Sequence, residues 1–520
     1  MLRDLIPEIR RWSTWSVVWP VALWVMLWLN LSPGRISDIV DSSGPVSLFH
    51  DLRAISAFAA GTLAVGIIAY CSYRNRTAGI HWLNPLSFSL AYGVVGIVAL
   101  LQSVDASASL HWTALYLAVP LVLLAIAWNG DSLTRIARVL ASTWLAMLLA
   151  SLALFLVALV NLGLWDTLKE PLTLLECNSA NWNDWSSHRI RDTGAGRYAA
   201  IAGLIALSGL WMPRWRSVSA AVFFLSILLL LFTGARGSFA GFVVGTGVVV
   251  LLHSGRAGLI AGAGAVAVLL PVFLVTGAHE TFMNNCVLRN ESDDPVPAAI
   301  ASPPATAVPT PSLIQAAPTT APTPAPTPTP VLAPTPAPTP TPVLAPTPAP
   351  TPTPVLAPTP APTPTPEPIA APVENPNAPK EHTFFEFTGR TTTWSRGMDL
   401  LKKSPLIGHG FHADRMLLGT QMHNGLVQAL VQTGILGAIA YLAAASYGWL
   451  LLARLSRNLI SLSLVHKQLV IQSGAVLAYL TMRAVPESTG ALFSVDWLVL
   501  APILLYLYLV DSQSSNPERL

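Results

Sequence analysis

About twelve apolar stretches, each long enough to cross a hydrocarbon core, run through this 520-residue chain and leave it few folds to choose from. They lie at roughly 14–31, 54–72, 83–102, 113–128, 139–162, 198–212, 217–233, 239–254, 257–276, 424–452, 468–485 and 493–510. With 52% hydrophobic and only 11% charged residues, and a mean hydropathy of +0.55, the chain is too apolar for an ordinary soluble domain. The expectation is an all-α polytopic membrane protein with about twelve transmembrane helices.

Loop charge sets the expected orientation. Arg3, Arg10 and Arg11 precede the first run, and no small-residue cleavage site follows it, so it reads as a retained helix with its amino end inside. Alternation then places Arg74, Arg76, Arg135, Arg138, Arg214, Arg216, Arg256, Arg454, Arg457, Lys467 and Arg519 on the same inner side. Most other basic residues fall in two long outer segments, 163–197 and 277–423, where the charge rule is weak. The chain divides into 1–276 (nine spans), an outer loop 277–423, and 424–520 (three spans and an inner tail). Cys71 lies in an apolar run, whereas Cys177 and Cys286 share the outer side, where a disulfide and free thiols are both open.

Residues 295–373 are of a different kind. A twelve-residue tandem, Ala-Pro-Thr-Pro-Ala-Pro-Thr-Pro-Thr-Pro-Val-Leu, begins at Ala321, Ala333 and Ala345, with a truncated copy from Ala357 to Pro366. Proline at nearly every second position removes amide donors and disfavours the α region for the residue before it, which leaves polyproline II. At about 3.1 Å per residue the tandem spans on the order of 140 Å when extended. It reads as a disordered, semi-rigid spacer suited to O-glycosylation or simply as expandable low complexity. Loop closure varies only logarithmically with length, so the insert should hardly disturb the fold.

Polar residues at the mouths of the spans carry the chemistry. Thr233-Gly234-Ala235-Arg236-Gly237-Ser238 sits between two apolar runs, and Gly389-Arg390-Thr391 follows the insert. Trp394, Met398 and Leu401 recur at helical spacing with Arg396, Lys402 and Lys403 elsewhere on the wheel, which predicts a short amphipathic helix on the outer membrane surface. Pro405, Gly408 and Gly410 end it and turn the chain inward. His423-Asn424 opens the next span. A histidine at a helix amino terminus meets the positive end of the peptide dipoles, which keeps a neutral ring able to accept a proton, as a general base must. A plain cap or an interfacial anchor is the other reading. By alternation Arg236, Arg390 and His423 all face outward.

Taken in order, these motifs resemble the O-antigen ligase and O-antigen polymerase family of bacterial membrane glycosyltransferases. The resemblance rests on the Arg236-Gly-Ser turn, on Gly389-Arg390-Thr-x-x-Trp394, on Pro405-Leu-Ile-Gly408-His-Gly410, and on His423-Asn424 followed by Gly434-Ile-Leu-Gly437. It implies transfer of a glycan from an undecaprenyl-diphosphate carrier to an acceptor hydroxyl, such as a lipopolysaccharide core sugar, at the periplasmic face of the inner membrane. In that reading Arg236 and Arg390 clamp the departing diphosphate, His423 takes the acceptor proton, and the anomeric centre inverts in one displacement without metal or cofactor. Asn424 and Trp394 would contact substrate. So would Arg191 or Arg197 in His188-Arg189-Ile-Arg191-Asp-Thr-Gly194-Ala-Gly196-Arg197, though these two also read as lipid-phosphate anchors.

Other chemistries have little to support them. His382, His409 and His412 lack a helical i, i+4 pair with a carboxylate and do not read as a zinc site. The acids Glu280, Glu291, Asp293 and Asp294 flank low complexity and read as solvated. No basic patch suggests nucleic acid. A transporter would place ionisable groups near the bilayer midplane and repeat one half in the other, and a passive anchor would not need a dozen spans.

Overall fold

The computed structural model describes residues 15–30, 45–74, 83–128, 132–169, 192–275 and 390–514. The insert at 295–373, the segment 381–389, Arg191, Cys177 and Cys286 lie outside the described residues. The described elements are helical, with no strand among them. They are α1 (Trp15–Leu29), α2 (Pro45–Tyr73), α3 (Pro85–Val98), α4 (Ala106–Ala127), α5 (Ser132–Asn161), α6 (Asp192–Gly209), α7 (Arg216–Phe232) and α8 (Arg236–Val275). After the insert come α9 (Arg390–Lys403), α10 (Ala413–Leu418), α11 (Gly425–Arg457), α12 (Leu464–Arg483) and α13 (Val495–Ser514).

Every stretch expected to span overlies one of these helices. By length and apolarity, seven of the described helices qualify as membrane spans: those in α2, α3 with its 3₁₀ extension to Gln102, α4, α5, α8 up to Gly255, α11 and α13. The apolar parts of α1 and α7 are shorter, and α6 and α12 fall outside the seven. Polar residues within them are the physical reason, Asp192 and Arg197 in α6 and His466, Lys467, Gln468 and Gln472 in α12. The expected boundary between spans 239–254 and 257–276 appears as a break inside α8 at Gly255, with φ 61° and ψ −153°.

Side-chain caps define several helix starts. Asn84 accepts from Ser87 N ahead of Pro85, Asp105 from Ala108 N, and Asn424 from Val427 N, each satisfying an amide that the helix leaves unpaired. The core is centred on α13, whose residues Val495 to Val510 are all buried. Trp497 stacks on Tyr116 of α4 with ring centroids 4.7 Å apart and donates to the Tyr116 carbonyl. Close approach of α8 and α12 depends on a glycine ridge. A β-carbon at Gly241 would come within 2.7 Å of the Tyr479 ring, and one at Gly245 within 2.8 Å of the Ala475 carbonyl oxygen.

Two expectations change. Helix α9 forms as the sequence suggests, but its buried line runs through Gly397 and Leu400, with Trp394 half-buried, and Met398 is exposed. Gly397 sets that line, since its α-carbon lies against Met422, Val427 and Val431 and leaves no room for a side chain. The tenth expected span is not continuous either. At Gly434 the backbone takes φ 62° and ψ −164°, and the chain from Pro405 to Gly410 docks into the break. His409 N and Gly410 N donate to the carbonyls of Val431 and Gln432, while Ile435 N and Leu436 N donate to those of Pro405 and Leu406. Groups freed by the interruption are thereby paired within the protein, which hydrocarbon requires. A β-carbon at Gly408 would come within 2.5 Å of Thr433 N, so the two glycine motifs are the two halves of one interlock.

Candidate functional site

The motif residues converge on the short loop between α12 and α13, Ala484 to Ser494. Three contacts bring the Arg236 turn there. Gly196 of α6 lies so close to Ala235 that a β-carbon would sit 2.6 Å from it, Gly237 faces Pro486, and Ser238 Oγ accepts from Arg483 Nη1 at 3.2 Å. Arg236 itself is the exposed first residue of α8. Arg390, the first residue of α9, donates through Nη1 to the Pro486 carbonyl at 2.9 Å, and its Nη2 stands 4.0 Å from Glu487 Oε1. His423 completes the group with Nδ1 3.4 Å from Glu487 Oε2.

His423 sits in the left-handed region with φ 50°, where a non-glycine residue is held at a cost on the order of 1–3 kcal/mol. The turn around it is pinned from several sides. Asn424 caps α11 through its oxygen and donates its amide to the Val485 carbonyl at 3.0 Å. Gly425 N donates to Ala484 O at 2.8 Å, and Trp394 Nε1 donates to Met422 O at 2.7 Å. The polar atoms of Asn424 and Trp394 are thus engaged by backbone around the His423 turn.

Arg197 is engaged by a carboxylate. Its Nη1 pairs with Asp496 Oδ1 at 3.1 Å, and Arg483 Nε approaches Asp496 Oδ2 at 3.3 Å. Thr489 Oγ1 donates to the same carboxylate, and Arg483 Nη1 also reaches the Thr193 carbonyl and Tyr479 hydroxyl. This buried knot joins α6, α8, α12 and α13, and its Arg483 lies within electrostatic reach of Glu487 in the more open group of Arg390, His423 and Glu487.

Glu487 is the pivot between them. Burial would raise its carboxyl pKa, but the hydrogen bond with His423 and the charges of Arg483 and Arg390 prevail and hold it below the ordinary carboxylate value. As an ionised acceptor it can take a hydrogen bond from His423 Nδ1–H, an arrangement that suits the tautomer with the Nε2 lone pair available. That tautomer is the one a general base uses. Burial, with Arg415 and His111 nearby, lowers the pKa of His412 to about 4, and its ring stacks on Trp112 with centroids 4.5 Å apart. His409 is occupied at the Leu400 carbonyl. Among the described residues, no group of three or more His, Cys, Asp or Glu is placed to hold a metal ion.

Sequence reasoning missed Arg483, Glu487 and Asp496. The signal was present in Arg483-Ala-Val-Pro486-Glu487-Ser-Thr-Gly490 and in Asp496, charges at the facing mouths of two apolar runs.

A family model described as O-antigen ligase matches residues 221–442, which supports assigning the chain to that family. The matched segment opens in α7, includes the Arg236 turn and closes in α11 beyond the glycine interlock. No curated protein matches the chain.

Proposed function

We propose that this chain, as a member of the O-antigen ligase family, transfers a glycan from an undecaprenyl-diphosphate carrier to an acceptor hydroxyl, with a lipopolysaccharide core sugar as acceptor. The reading has twelve spans, both termini in the cytoplasm and the site at the periplasmic face of the bacterial inner membrane. The single observation that carries it is the His423–Glu487 contact standing beside Arg390 at the mouth of the bundle.

The chemistry follows from that arrangement. An acceptor oxygen attacks the anomeric carbon as the bond to the diphosphate oxygen breaks, so configuration inverts. His423 Nε2 takes the hydroxyl proton, and Glu487 supplies the counter-charge for the imidazolium that forms. The leaving diphosphate gains negative charge and needs fixed cations. Four guanidinium groups, those of Arg197, Arg236, Arg390 and Arg483, share this end of the bundle with the two carboxylates of Glu487 and Asp496. The cationic excess suits a diphosphate, and in this reading arginines rather than a bound cation carry that charge. Arg236 and Arg390 form the clamp. Arg197 holds Asp496 instead of a phosphate, and Arg191 remains a candidate for donor contact.

The test is surface polysaccharide in a deletion strain complemented with the wild-type chain or with His423→Ala. Lipid-linked polymer accumulating over an uncapped core supports the ligase reading, and core capped by a single repeat points to the polymerase alternative. Wild-type surface glycan in the deletion strain removes both.

A further inference from the structure

We infer that Gln428 is a positioning residue for the transfer reaction, holding the His423 and Glu487 segments in register through one amide oxygen. The inference rests on the roles proposed above for those two residues. Gln428 is fully buried one turn inside α11. Its Oε1 accepts from Met422 N at 3.3 Å and from Ser488 Oγ at 3.1 Å. Those donors are the residue before His423 and the residue after Glu487. They lie on segments that meet only in the folded protein, so a single oxygen spans both sides of the candidate catalytic pair.

The other end of the Gln428 amide is anchored as well. With the Gln432 amide oriented so that its oxygen faces Gln428, Gln432 accepts from Gln428 Nε2 at 2.6 Å and from His412 N at 3.2 Å. Its own nitrogen then donates to the Tyr92 hydroxyl and the Ala491 carbonyl, both at 3.0 Å. Gln428 and Gln432 lie four residues apart on the buried face of α11, and Tyr92 belongs to the buried face of α3. A polar ladder therefore runs from the core up to the strained His423 turn. Buried amides of this kind narrow the geometry of what they touch, because every alternative leaves an unpaired group in a low-dielectric interior. A displacement of about 1 Å in a catalytic group is enough to lower a rate on the order of a hundredfold.

The experiment compares purified wild-type protein with Gln428→Met, which keeps the volume and removes the hydrogen bonds. Transfer is assayed with a lipid-diphosphate-linked glycan donor. The expected result is a kcat roughly ten- to hundredfold lower with the donor KM within about threefold. A cycle with Glu487→Gln carries the discrimination: if Gln428 acts through the pair, its loss in the Glu487→Gln background has little further effect. Additive losses in that cycle, or an unchanged kcat in the single variant, overturn the inference. Should Gln428→Met not reach the membrane, Ser488→Ala removes one arm alone, with an expected partial loss of kcat, and full activity there counts against the proposal. Absence of transfer by the wild type tells instead against the function on which the inference depends.

Discussion

Two ionic groups, a more buried lower one and a more open upper one, adjoin through Arg483 and Glu487, and their difference separates architecture from chemistry. The lower one, Arg197, Asp496 and Arg483, is nearly sealed, with side-chain exposures of 16%, 6% and 5%. The upper one, Arg390, His423 and Glu487, keeps 27%, 27% and 16% open. Charges in the lower knot are paired and further hydrogen-bonded by Thr489, Ser238 and Tyr479, as buried charge demands. In the upper group the contacts between charged side chains are longer, at 3.4 and 4.0 Å, and Glu487 meets only one nitrogen of the His423 ring. Arg197 Nε is buried there without a hydrogen-bond partner, yet the carboxylate of the knot is held from three sides, which rigidifies it, whereas a looser group can tighten around a substrate.

That contrast can be broken experimentally. Asp496→Ala should have the largest effect, because it strands two guanidinium groups inside the protein. A loss of about 3–5 kcal/mol is expected, read as a lowered thermal transition in detergent and reduced membrane level. A stable Asp496→Ala protein would show that the lower knot is not structural.

His423→Ala belongs to the opposite class. Transfer should fall by about 10²–10⁴-fold, with the thermal transition close to wild type. Near-normal transfer removes His423 as the base.

Glu487→Gln sharpens the boundary, since Glu487 touches both groups. Its carboxyl is held below the ordinary carboxylate value in the folded protein. The stability it lends is therefore present above the unfolded carboxylate range, about 4.3, and fades as pH falls through the lower folded value. A pH series of thermal transitions should show a steeper acid loss in the wild type than in Glu487→Gln. Parallel curves would mean that the carboxylate lends no such stability.

Arg390→Lys keeps a charge but loses the planar fork and its reach to the Pro486 carbonyl, so a loss on the order of tenfold in transfer is expected, with little change in stability. The smallest effect belongs to deletion of residues 321–366. Catalysis should be nearly unchanged, and a dead enzyme would mean that the repeat is more than a spacer.

Local features of the chain made much of this legible. Apolar runs announced the helices, and the Arg236 turn, Arg390 and His423 stood out because charge at the mouth of a span is expensive. The glycines of Pro405-Leu-Ile-Gly408-His-Gly410 and Gly434-Ile-Leu-Gly437 were visible as motifs, but their purpose was not. Each reads locally as a turn or a small residue in a helix, and only their docking shows one filling the break in the other. The stripe on α9 was misplaced for a similar reason. Met398 is apolar by composition, yet the face turned inward is chosen by Gly397, whose lack of a side chain admits Met422.

By itself, the sequence determined that the chain is a helical membrane protein with charged side chains at the ends of its apolar runs. Hydrophobicity and helical period act over a few residues and need no partner. What the tertiary structure alone decided is which polar and charged groups meet. Arg197 with Asp496, His423 with Glu487, and Gln428 with Ser488 are joined across long stretches of chain. Such pairs depend on helix packing, because contact ion pairs and hydrogen bonds form only between groups a few ångströms apart and cannot be read before the helices are brought together.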